Sequence, residues 1–145
     1  MEKGALIKEI MTAELVTAVK DETIESVKNK LQINRIHHIP VVHGKHIVGM
    51  ISLSDIHMME HHFTLFHSKL AEEINRKIFS TILAKEIMTS QVIKVREDEQ
   101  LTVAVDLFKE NVVHALPVVN KSGKLVGILT PMDLVRYAYD NKKLI

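Results

Sequence analysis

The sequence predicts a mixed α/β (α+β) fold. It is built from two copies of one strand-helix-strand-strand-helix unit joined by a helical linker. Three observations carry this expectation. The pentapeptide Lys8-Glu9-Ile10-Met11-Thr12 recurs as Lys85-Glu86-Ile87-Met88-Thr89. His37, Pro40, Val41 and Val42 recur 77 positions later as His114, Pro117, Val118 and Val119. After a one-residue insertion the offset becomes 78, and Val48-Gly49 and Asp55 recur as Val126-Gly127 and Asp133. Internal repetition of this regularity marks a protein made of stacked units that share a core.

Each element follows from local pattern. The runs Leu15-Val16-Thr17-Ala18-Val19 and Val92-Ile93-Lys94-Val95 are β-rich and open each repeat. Apolar residues at Ile24, Val27 and Leu31, and at Leu101, Ala104, Val105 and Phe108, have helical spacing. Two further strands, Ile39 to Val42 and Ile47 to Ile51, are joined by a turn at His43-Gly44-Lys45. The second copy of that turn is Asn120-Lys121-Ser122-Gly123. A last helix begins after Ser52 or Thr130, each with an acidic residue three positions on, which is the pattern of a helix capping box. Pro131 then stands at the first helical position, where its missing N–H costs nothing. The expected domains are residues 1–58 and 83–145, with a helical linker at 59–82.

No Gly or Pro occurs between Met50 and Leu116. Within that stretch Ile56, Met59, Phe63, Phe66 and Leu70, then Ile74 and Ile78, form an apolar seam. The seam suits either a cover for the module's own core or a contact with a second copy or partner.

Composition excludes several classes. The chain has 145 residues, 46% hydrophobic and 26% charged, enough for a buried core and unlike a disordered chain. It has no cysteine, hence no disulfide, thiolate metal site or cysteine nucleophile. A net charge of +1 with interspersed signs argues against nucleic-acid binding. No apolar run is long enough to span a bilayer, and the first residues do not read as a signal peptide, so a cytoplasmic protein without membrane insertion is expected. None of the motifs G-x-x-x-x-G-K, G-x-G-x-x-G, G-x-S-x-G or H-E-x-x-H occurs, and the chain is not expected to be an enzyme.

The segments Ile10-Met11-Thr12, His37-His38-Ile39-Pro40-Val41-Val42 and Val48-Gly49-Met50-Ile51-Ser52-Leu53-Ser54-Asp55, with their second copies, resemble cystathionine-beta-synthase-type (CBS) domains. The resemblance covers nearly the whole chain. It implies a tandem pair with pseudo-twofold symmetry and two clefts between the halves, which in the family hold AMP, ADP, ATP or S-adenosylmethionine. The expected function is therefore a regulatory module that senses an adenine nucleotide, with or without Mg, and needs no resident cofactor. It is expected to act as a homodimer on a separate effector protein.

By the same resemblance Asp55 and Asp133 accept hydrogen bonds from ribose hydroxyls. A carboxylate matches a vicinal diol because two acceptors meet two donors. Ser52, Ser54 and Thr130 would contact ribose or phosphate at a helix N-terminus, where unpaired N–H groups favour anions. Family geometry would place Thr12 and Thr17 with Thr130, Met132 and Asp133, and Thr89 and Lys94 with Ser52, Ser54 and Asp55. His37, His38 and His114 resemble in position the basic phosphate-binding residues of the gamma subunit of AMP-activated protein kinase; Ala115 departs from that pattern. Ile39 and Leu116 are candidates to flank adenine, or else core residues. His57 and His61, four apart on one helix face, are weaker candidates for a metal, and a metal- or stress-responsive interaction protein is the alternative function.

Overall fold

The structure is a computed structural model and describes residues 4–63 and 69–140. Phe66 and His67 lie outside the described residues, as do the side chains of His62 and Phe63.

In the first repeat β1 (Ala18–Val19) pairs in parallel with β2 (His38–His43), which pairs antiparallel with β3 (His46–Ser52). Helix α1 (Ile24–Ile33) crosses between β1 and β2, and α2 (Leu53–Phe63) follows β3. After α3 (Lys69–Phe79) and the single turn α4 (Ala84–Ile87), the second repeat has the same plan. Strand β4 (Val95–Arg96) lies parallel to β5 (Leu116–Val119), and β5 antiparallel to β6 (Leu125–Leu129). Helices α5 (Leu101–Lys109) and α6 (Pro131–Asp140) occupy the equivalent places. Two three-stranded sheets result.

The opening strands are shorter than expected. Residues 15–17 form no ladder, and the Thr17 carbonyl accepts from Lys30 Nζ at 2.9 Å. The first helices form where the periodicity places them. Ile24, Val27 and Leu31 are buried on one face of α1, and Thr23 caps that helix by accepting from the Ser26 N–H at 3.2 Å. The apolar seam divides. Ile56, Met59 and Ile78 pack on the core of the first sheet, whereas Leu70 and Ile74 on α3 stay 66% and 45% exposed.

The units of packing are cut differently from the units of repetition. Val16–Val92 form one compact unit; the residues up to Leu15 join those from Ile93 onward in the other. The segment before each repeat's first strand therefore packs on the other repeat's sheet. Ile7, fully buried, belongs to the core of Val95, Ala104, Leu116, Val118 and Leu129. Its counterpart Ala84 belongs to the core of Ile24, Val27, Leu31, Ile39 and Ile51. Main-chain bonds fix both straps. The Thr12 N–H donates to the Ile128 carbonyl at 2.9 Å and the Ile128 N–H to that of Thr12 at 3.0 Å. Thr89 and Met50 exchange the same pair at 2.9 and 3.0 Å.

Candidate functional site

Docking of the first strap brings Thr12 beside the start of α6. The Thr130 N–H donates to Asp133 Oδ2 at 2.8 Å, and the Asp133 N–H donates back to Thr130 Oγ1 at 3.4 Å, closing a capping box. The Thr130 hydroxyl also reaches Oδ2 at 3.2 Å. Asp133 Oδ1 accepts from the Thr12 hydroxyl at 3.2 Å across 121 residues of sequence. Asp133 is 8% exposed and is the one buried polar or charged residue among the described residues. Three hydroxyl or amide donors at a helix N-terminus offset the desolvation such a charge would suffer.

The other compact unit carries the same device in a looser form. Asp55 Oδ2 accepts from the Ser52 N–H at 3.2 Å, and the Asp55 N–H donates to Ser52 Oγ at 3.1 Å. Thr89, the counterpart of Thr12, is exposed, and among the described residues the Asp55 side chain bonds with Ser52 and not with the Thr89 hydroxyl. Among the described residues the hydrogen bonds of Asp55 are those with Ser52, and its Oδ1 takes no counterpart of the Thr12 bond that engages Oδ1 of Asp133. A second difference lies at the first helical residue. The Leu53 N–H donates to the His37 carbonyl at 2.8 Å and so ties the residue before β2 to the start of α2. Pro131 stands in Leu53's place on α6 and has no N–H to give His114.

The remaining expected site residues fall into two groups. Thr12, Thr130 and Asp133 come together in one unit, with Met132 exposed next to them; Ser52, Ser54, Asp55 and Thr89 come together in the other. Thr17 belongs to the unit of Asp55 and Lys94 to the unit of Asp133. His37, His114 and Lys94 are exposed and His38 is half-buried. Ile39 and Leu116 have 0% exposure and sit within the two hydrophobic cores. His57 and His61 are exposed on α2, and among the described residues no three metal-binding side chains cluster.

Sequence reasoning missed the contact that seats each strap. Met11 lies on Gly127, and Met88 on Gly49. A glycine inside a strand signals close approach of another group. The recurrence of both the Met and the Gly was the available clue.

The CBS domain profile matches residues 7–60 and 84–140, and the chain belongs to that family as a tandem pair. Its fold superimposes on the CBS-pair protein CBSX2 of Arabidopsis thaliana with a TM-score of 0.81 at 23% identity, covering 97% of this chain and 99% of that one. CBSX2 in complex with AMP matches at 25% identity with a TM-score of 0.77, over 96% and 99% of the two chains. The CBS domain pair of protein MJ0100, solved with 5′-methylthioadenosine and S-adenosylmethionine, matches at 28% identity with a TM-score of 0.73, over 96% and 99%. Protein MJ1225 of Methanocaldococcus jannaschii is 25% identical over 138 residues, which is 94% of this chain and 48% of that protein. The chain spans 48%, 22% and 63% of the length of the first curated relatives it matches. Among the described residues no helix is long and apolar enough to cross a membrane.

Proposed function

We propose that the chain is a regulatory module that binds a ligand carrying adenosine and holds its ribose on the capping carboxylates Asp55 and Asp133. The observation that carries this reading is the Asp133 carboxylate, buried at the start of α6 with the Thr12 and Thr130 hydroxyls on it. The similar CBS pairs support it. AMP, methylthioadenosine and S-adenosylmethionine share adenosine, and only AMP has a phosphate. A diol that donates twice to one carboxylate is the recognition common to all three. In this reading a ribose hydroxyl displaces the Thr12 hydroxyl at Asp133, whereas Asp55 Oδ1 is ready to accept. The Asp55 site is therefore the stronger one. His37, held near the N-terminus of α2, serves a phosphate when the ligand has one. Binding favours one arrangement of the module by its differential affinity, and the output passes to a second copy or a separate effector protein.

Thermal unfolding with AMP, ATP and S-adenosylmethionine tests the proposal on the wild type, Asp55→Asn and Asp133→Asn. Asparagine keeps a cap acceptor but removes one of the carboxylate's two acceptor oxygens. A ligand at about 100 times its Kd stabilises by roughly 2.7 kcal/mol, a readable shift in Tm. The shift should be lost in Asp55→Asn and partly kept in Asp133→Asn. No shift with any of the three ligands, or a shift indifferent to both substitutions, would overturn the assignment.

A further inference from the structure

The tip of the β2–β3 hairpin carries two exposed histidines. His43 and His46 are directly opposed in the antiparallel register and are joined by the two-residue turn Gly44-Lys45. Opposed residues of an antiparallel pair project from the same face with Cβ atoms about 4.5–5.5 Å apart. From that separation two imidazoles can converge on one ion, at metal–nitrogen distances of about 2.0–2.1 Å. Both side chains are exposed, and among the described residues neither makes a hydrogen bond or ion pair.

The second repeat shows what this position does when the turn needs it. There the longer turn is closed by Asn120, whose Oδ1 accepts from the N–H groups of Ser122 and Lys124, each at 3.0 Å. In the first repeat Gly44, at φ 63°, makes the tight turn by itself and frees the flanking side chains. The other histidines of the hairpin, His37 and His38, stand at its far end, where His38 is opposite Ser52. His61 on α2 has an interaction of its own, so the hairpin pair is the better-prepared of the two imidazole pairs.

We propose that His43 and His46 form a two-imidazole clamp for a late first-row divalent cation: Cu2+, Ni2+ or Zn2+. Neutral imidazole suits these ions, whereas Mg2+ and Ca2+ want oxygen donors. Two protein ligands leave the other coordination positions to water, so the site is open and exchangeable. A bound ion ties β2 to β3 at their tip and stabilises the folded chain by mass action. The clamp is separate from the capping carboxylates and does not depend on the adenosine reading.

The test is calorimetric titration of chelator-treated full-length protein with Ni2+ and Zn2+. Four proteins are compared: wild type, His43→Asn, His46→Asn and the double variant. A His57→Asn/His61→Asn variant runs alongside. One equivalent should bind the wild type. Either hairpin substitution should weaken it at least tenfold, because chelation needs both rings, and the double should bind no more tightly than either single variant. The helix variant should bind as the wild type does. On the wild type, substoichiometric Cu2+ should broaden the amide resonances of residues 42–47 first, a readout independent of whether any variant folds. Unchanged affinity in both hairpin variants, a double variant that binds as the wild type does, loss in the helix variant alone, or broadening centred elsewhere would each overturn the proposal.

Discussion

Gly127→Ala probes how the first strap is held against β6. Gly127 has no left-handed φ, so an alanine backbone fits; only the added methyl is at issue. That Cβ would stand 2.5 Å from Met11 Sδ, 2.9 Å from Met11 Cγ and 3.1 Å from the Thr12 carbonyl oxygen. Met11 is flexible and can swing away. The Thr12 carbonyl cannot move freely, because it accepts from the Ile128 N–H at 3.0 Å. Overpacking of this kind costs about 1–3 kcal/mol, and the stiffer unfolded chain returns about 0.4–1 kcal/mol. The net expectation is a loss of about 1–2 kcal/mol, read by urea unfolding as a lower midpoint at constant m. The same substitution in a Met11→Ala background should cost less by about 1 kcal/mol, the coupling expected of residues in contact. The strap also carries the Thr12 hydroxyl to Asp133, so ligand affinity at that carboxylate should change in step. A neutral Gly127→Ala, or a cost that Met11→Ala does not relieve, would refute the contact and with it the placement of Thr12.

Two further substitutions test the scaffold. Arg35 follows α1 with φ 52°, a left-handed conformation that costs an ordinary residue roughly 1–2 kcal/mol; Arg35→Gly should raise stability by about 0.5–1 kcal/mol after the entropy of glycine is counted, measured by thermal unfolding. Burial pushes the Glu22 carboxyl up, but hydrogen bonds from Lys30, Ser26 and the Val19 N–H outweigh it and hold the group below the usual carboxylate range. A carboxyl lowered in the folded state adds stability at neutral pH and loses it as pH falls through the folded value. Lys30→Met should therefore cost about 1 kcal/mol near pH 7, kept modest because Lys30 is 38% exposed, and the gap to wild type should close in acid. A gap that widens on acidification would contradict the pairing.

The sequence by itself determined what is local or repeated. The 77-residue repeat, the helical spacing of Ile24, Val27 and Leu31, and the Ser52–Asp55 and Thr130–Asp133 caps are patterns of neighbours, and each appears in the structure where the pattern puts it. Those patterns respond to backbone periodicity and to side chains three or four residues apart, which a single sequence displays. Tertiary structure alone decided that residues before Leu15 pack with the second repeat, that Met11 seats on Gly127, and that the Thr12 hydroxyl, rather than Thr89's, closes on its aspartate. It also decided that Leu70 and Ile74 face outward while Ile56, on the same seam, is buried. The physical reason is separation along the chain. A hydrogen bond between residues 121 apart depends on which sheet edge the strap reaches, and the short motif Ile-Met-Thr is the same in both repeats. The identical strap motif cannot by itself encode the difference between Thr12 and Thr89; the surroundings assembled by the fold, with Thr130-Pro131-Met132 in place of Ser52-Leu53-Ser54, create it.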